Sequence, residues 1–183
     1  MYKLIRYDSG YTLMELMVTI SIAGILLGVA IPSFTSIITN NHLTTYTNEL
    51  VTALNFARSE AIKRGVQVTV RNKGASTHWE SGWDVFVDIN GNQTFNDASP
   101  STPCATGQDC LLRTYDALPI DYTLTTGASA YKDYAAYLPS GFSKSGVGDT
   151  FRLCKGTDKT TSREITISAV GRARVLTGTD SCP

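Results

Sequence analysis

Hydrophobic and polar positions follow three successive patterns along the chain. Residues 11–31 are almost continuously apolar. The next block places Phe34, Ile37, Ile38, Leu43, Tyr46, Leu50, Leu54, Ala57 and Ala61 at helical spacing. From Val66 onward the chain breaks into short β-type runs separated by Gly, Ser, Asn and Pro. The order predicts an α+β protein: one long N-terminal helix whose second half packs on an antiparallel β-sheet head.

The first block is long enough to cross a bilayer. Residues 16–31, LMVTISIAGILLGVAI, contain no charge, and residues 11–31 as a helix span about 30 Å. Pro32 lacks an N–H and crowds the carbonyl of Gly28, so a kink or local melting is expected there. The polar stretch TNNH, residues 39–42, interrupts the apolar stripe about where the helix would leave the membrane. Lys63 and Arg64 suit a helix C-terminus, and Gly65 offers a cap. A continuous helix from Tyr11 to Arg64 would be about 80 Å long.

In the head, strands are predicted over residues 66–72, 82–89, 111–115, 121–126, 150–154, 164–168 and 173–177. In GWDVFVDI, the alternation puts Trp83, Val85, Val87 and Ile89 on a core face and Asp84, Phe86 and Asp88 opposite. Residues 96–149 read as variable loops and strands. Core or rim packing is the expectation for Trp79 and Trp83.

Charge alters the picture locally, not in bulk. The 16 bases balance the 16 acids. Residues 79–121 carry a net −6, while residues 140–174 carry a net +4 through Lys144, Arg152, Lys155, Lys159, Arg163, Arg172 and Arg174 against Asp149, Asp158 and Glu164. Such polarity fits an oriented surface or a basic binding face. The even cysteine count, all downstream of the apolar block, fits an oxidising compartment. Of the three possible pairings, Cys104–Cys110 with Cys154–Cys182 is preferred, because each closes its loop without threading the other. Neither Cys-x-x-Cys spacing nor a nearby histidine points to zinc.

The N-terminus is unlike a cleaved secretory signal. The leader MYKLIRYDSG carries Lys3 and Arg6 and stops at Gly10, ahead of the apolar block. The two cations favour a cytoplasmic leader. Cutting after Gly10 would leave the apolar segment in place and expose the amine of Tyr11. A carboxylate in a bilayer costs about 2.5–3.5 kcal/mol, so Glu15 needs a partner. The Tyr11 amine is a cation at the same depth, and amine–Glu15 pairing between neighbouring chains would set an axial register.

Gly10-Tyr11-Thr12-Leu13-Met14-Glu15, the apolar run and Pro32 resemble the class III signal of type IV pilins and type II secretion pseudopilins. The resemblance implies cleavage after Gly10 by a prepilin peptidase, which also methylates the new amine, and a role for Glu15 in docking into a filament. Tyr11 stands where phenylalanine is usual, and Met14 where a branched aliphatic is usual; both keep an apolar bulk. NFARSEAIKRG (55–65), GWDVFVDINGN with Trp79, and EITISAVGRARV (164–175) are similar to the GspH/FimT-type minor pilin and pseudopilin domain. The implied organisation is a leader over 1–10, a transmembrane or filament-core helix over 11–32, an amphipathic helix over 33–65 and a β-rich head over 66–183. The expected site is the inner membrane, as a single pass with a periplasmic head, and then a pilus or pseudopilus. The expected partners are other pilins or pseudopilins and the prepilin peptidase. A minor pilin of a type IV pilus, in a tip or priming position, is the reading adopted. A protein H-like type II secretion pseudopilin is the alternative, and the two share every motif quoted.

Two polar motifs remain. DINGNQTFND (88–97) offers Asp88, Asn90, Asn92 and Asp97 as oxygens for calcium. However, Gln93 occupies the sharp-turn glycine position and Ser99 the closing glutamate position. Asn90-Gly91 is itself a hairpin signal, so a turn is expected and no metal or cofactor. Gly171-Arg172-Ala173-Arg174 puts two arginines about 6.5–7 Å apart on one strand face, close to the phosphate spacing of an extended nucleic-acid strand. The FimT branch is associated with DNA capture through a glycine–arginine motif of this kind, which the resemblance carries to Gly171, Arg172 and Arg174. Lys155, Lys159 and Arg163 are candidates to add charge if the bridge folds the tail beside them. An edge strand guarded by cations against sheet pairing is the competing account. No GxSxG, HExxH or Walker pattern is present, so no catalysis is expected.

Overall fold

A computed structural model describes residues 10–74, 76–96, 104, 107–127, 130–179 and 181–182. Lys3 and Arg6 of the leader, and Asp97 and Ser99, lie outside the described residues. The described chain forms one helix, α1 (Leu13–Arg64), and eight strands: β1 (Val68–Asn72), β2 (Trp83–Val87), β3 (Cys110–Tyr115), β4 (Tyr122–Thr126), β5 (Tyr134–Tyr137), β6 (Asp149–Lys155), β7 (Asp158–Ile167) and β8 (Ala173–Thr177). Two compact units divide between Thr39 and Asn40, inside the polar TNNH stretch.

In the first unit the helix is apolar and exposed, with Ile20, Ile25, Leu26 and Phe34 all open to solvent. It is long and apolar enough, by length and composition, to cross a membrane. The helical backbone continues through Pro32, so the local melting expected there does not occur.

In the second unit, α1 buries Leu43, Thr47, Leu50, Leu54, Ala57 and Ala61, a repeat of four and three that keeps one stripe on the core. The helix stops where the sequence says it should. Gly65 adopts φ +68° and its N–H donates to the carbonyl of Ala61 at 3.0 Å, which is the left-handed C-cap geometry. Glu60 accepts from Arg64 at 2.6 Å in the last turn.

The strands form two four-stranded antiparallel sheets, ordered β3-β2-β1-β5 and β4-β6-β7-β8. Val68, Val70, Trp83, Val85 and Val87 of the first sheet share a core with Leu124, Phe151, Leu153, Ile165 and Ile167 of the second. Trp79 and Trp83 are fully buried, as core packing requires, and Trp79 packs edge-on against Phe151 at 5.0 Å.

The one-sided reading of β2 needs correction. Phe86 and Asp88 are also buried, and Ile89 is 46% exposed. The far face of β1 and β2 is covered by residues 89–96: Phe95 packs on Phe86 at 5.4 Å, and Arg71 donates to the carbonyl of Gln93 at 2.6 Å.

Candidate functional site

The N-terminal region shows how the helix begins. Tyr11 is 86% exposed, and Thr12 precedes the first helical residue. The Glu15 N–H donates to Thr12 Oγ1 at 3.2 Å, and Glu15 Oε2 accepts from the Thr12 N–H at 3.5 Å. This reciprocal pair is a capping box, signalled in the sequence by Thr-x-x-Glu ahead of an apolar run. Glu15 is thus a helix cap as well as the charge that its place in the apolar block marks.

The four cysteines pair as preferred, Cys104 with Cys110 and Cys154 with Cys182. Cys154 alternates with the core residue Leu153 and so lies on the outer face of the second sheet, opposite Thr123 of β4. The C-terminal tail therefore crosses that face. Thr179 donates its N–H to the carbonyl of Lys159 at 3.1 Å, and Ser162 beneath the tail is fully buried. The β6–β7 turn is tied by Asp158, which accepts from the hydroxyls of Thr161 and Thr160 at 2.7 Å and from the Thr160 N–H at 2.8 Å. These bonds, the Thr161 hydroxyl foremost, hold its carboxyl down at about 2.

The basic residues do not form one patch. Arg172 and Arg174 are exposed at the β7–β8 turn end of the hairpin. Neither side chain has a hydrogen bond or ion pair among the described residues, and Arg174 stands opposite Thr166. Gly171 shapes this turn: it has φ +77°, its N–H donates to the Ser168 carbonyl at 2.7 Å, and a Cβ there would lie 2.7 Å from Tyr137 Cε1.

The other three cations are elsewhere. Lys159 sits beside the tail at the opposite end of the hairpin, about 20 Å along the strands. Lys155 holds its amine 5.7 Å from the Tyr122 ring centre. Arg163 lies on the core-side face, donating to the carbonyl of Ser162 at 3.2 Å and to Asn40 Oδ1 and Thr44 Oγ1 of α1 at 3.4 Å each. The disulfide does fold the tail back, but onto the end of the sheet away from Arg172 and Arg174.

The described part of the loop after β2 is built as a turn. Asp88 is 1% exposed and its two oxygens accept from Thr69 Oγ1 at 2.8 Å, Gln67 Nε2 at 2.6 Å, the Asn92 N–H at 3.0 Å and the Gln93 N–H at 2.9 Å. Donors surround this carboxylate where calcium would need further oxygens. Asp109 anchors the same loop, accepting from the N–H groups of Ile89 at 3.0 Å and Asn96 at 2.8 Å. No sequence signal marks Asp109, because its burial depends on a return of the chain that local spacing does not encode.

Comparison with known proteins agrees with this architecture. The family model described as Type II transport protein GspH matches residues 46–171, and the Prokaryotic N-terminal methylation motif matches residues 5–31. Among curated proteins no sequence matches significantly. The fold is similar to that of the type IV minor pilin FimU of Pseudomonas aeruginosa in two crystal forms. One aligns at 19% identity over 78% of this chain and 96% of FimU, with a TM-score of 0.59. The other aligns at 18% identity over 76% and 99%, with a TM-score of 0.56. Such a fold is a structural pilin fold, and the methylation motif fits anchoring of the apolar helix in an inner membrane. With more than half its length matched by one family and the long helix and paired sheets of a pilin head in place, the chain belongs to the GspH family.

Proposed function

We propose that this protein is a minor subunit of a type IV pilus, cleaved after Gly10 and docked into the filament through Glu15. The carrying observation is the first unit of the helix: a charge-free apolar surface, exposed in the isolated chain, with one carboxylate at its head. Such a surface has to be covered by lipid or by like helices, and a buried carboxylate has to be neutralised. The amine of Tyr11, once freed and methylated, supplies the opposite charge from a neighbouring subunit. Fold similarity to the minor pilin FimU supports the pilus; the family's description as a type II transport protein keeps the pseudopilus as the competitor. Deleting the gene and scoring piliation, exoprotein release and transformation together separates them. Reduced piliation with normal exoprotein release is the expected result. The reverse pattern would assign the subunit to the secretion machine.

A second function is supported by the unpartnered Arg172 and Arg174. Two exposed cations, Arg172 in a glycine-shaped turn and Arg174 at the start of β8, suit the backbone of DNA, read without sequence preference and weakened by salt. Arg172→Ala with Arg174→Ala is expected to abolish DNA retention by the full chain in non-ionic detergent, with its melting temperature nearly unchanged. Equal retention by the double variant would rule out this role.

A further inference from the structure

The outer face of the second sheet continues from the two arginines to a third. On that face the register places Thr166 opposite Arg174, Thr150 opposite Thr166, and Arg152 opposite both Thr125 and Glu164. Residues alternating with these, Phe151, Leu153, Ile165 and Ile167, are buried in the core, so the outward direction of the first set is fixed by the pleat. Arg174 and Arg152 are then two strand spacings apart across the sheet and two residues apart along it, about 12 Å in all. They form a row across β8, β7 and β6, with Arg172 in the turn just before β8.

We propose that the DNA-binding surface extends along this row, with Arg152 as its third cation, the hydroxyls of Thr125, Thr150 and Thr166 as phosphate donors, and Glu164 as the opposing charge that limits affinity. The proposal rests on the DNA reading of Arg172 and Arg174.

Three observations carry it. First, Arg152 forms no ion pair with Glu164 although the two stand directly opposite each other. Its Nε is buried without a partner, whereas its two terminal nitrogens are not buried and make no hydrogen bond among the described residues, so they are the part that meets an external anion. Second, none of the three threonine hydroxyls is hydrogen-bonded among the described residues, and each is half-buried, Thr150 and Thr166 on the Arg174 side of Arg152 and Thr125 beyond it. A hydroxyl set in a flat strand face donates to a phosphate oxygen without long-chain ordering cost. Third, the tail held by Cys154–Cys182 covers the other end of this face, so only the end bearing the arginines is open. Glu164 is the carboxylate beside the row and accepts a bond from Thr179 Oγ1 at 3.5 Å, while Asp158, in phase with it on β7, lies at the far turn end and is held by Thr160 and Thr161. The row thus presents three cations against one anion.

The test uses the full chain in non-ionic detergent, two fluorescent 30-base-pair duplexes of unrelated sequence, and vesicles with and without anionic lipid. Arg152→Ala is expected to weaken both duplexes severalfold and to reduce the salt slope by about 1, while Arg152→Lys retains most of the binding. Glu164→Gln is expected to tighten binding to both, a gain that damage to the fold would not produce. Wild-type binding that is lost in Arg172→Ala/Arg174→Ala but unmoved by Arg152→Ala and Glu164→Gln would confine the site to the turn and overturn this inference alone. Absence of DNA binding by the wild type, or binding to anionic vesicles in its place, would overturn the DNA reading and this inference with it.

Discussion

Glu15→Ala is expected to be cleaved after Gly10 at close to the normal rate and to be absent from assembled filaments. In the function proposed, cleavage depends on the residues around Gly10 and Tyr11, whereas docking depends on a charge. A lone amine moved into an apolar filament core would carry the several-kcal/mol cost of an unpaired ion, on the order of 2.5–3.5 kcal/mol by insertion scales, at every subunit. Glu15 also closes a capping box with Thr12, and losing a cap costs about 0.5–2 kcal/mol of helix stability. Glu15→Gln separates the two roles, since the amide reproduces the cap but carries no charge. If charge pairing dominates, Glu15→Gln is excluded from filaments as fully as Glu15→Ala. Normal incorporation of Glu15→Gln would make the residue a cap and nothing more. The measurement is quantitative immunoblotting of sheared filaments against membrane fractions.

The second large effect is expected from the bridge between Cys154 and Cys182, which closes a loop with a sequence separation of 28. The chain-entropy model gives about 3.5 kcal/mol for such a loop, and for a protein of this size that corresponds to a melting temperature lower by about 10 °C. Cys154→Ala with Cys182→Ala is therefore expected to melt about 10 °C below the wild type in thermal unfolding of the full chain. Because the bridge holds the tail across Ser162 and Cys154, both fully buried, unlatching it also exposes the hairpin end of the second sheet. An unchanged melting temperature would mean that the tail stays docked without its covalent tie.

Much of this was legible in the sequence, for reasons that differ from element to element. The helix end at Gly65 and the apolar stripe from Leu43 to Ala61 are local, periodic signals, and both appear where spacing puts them. Seven strands were marked by alternation; β5, Tyr134–Tyr137, was not, because two alanines between two tyrosines carry no alternating pattern. The burial of Phe86 and Asp88 was misread because their cover, residues 89–96, reaches them through Phe95 and through hydrogen bonds to Asp88. No period within β2 encodes that. Distance along the chain groups the basic residues, but a strand pleat sorts them by parity: Arg152 and Arg174 fall on the outer face, Arg163 falls on the face toward α1, and Arg172 lies in the turn before β8. Chain distance leaves Arg152 out of the group, although TFRLC places it in phase with Thr150.

The account stands on an amine freed at Tyr11 and paired with Glu15 of a neighbouring subunit. Intact-mass and N-terminal peptide analysis of the protein recovered from sheared filaments tests this most directly. The predicted result is a chain that begins at an N-methylated Tyr11. Filament-borne protein that still carried residues 1–10 would contradict it.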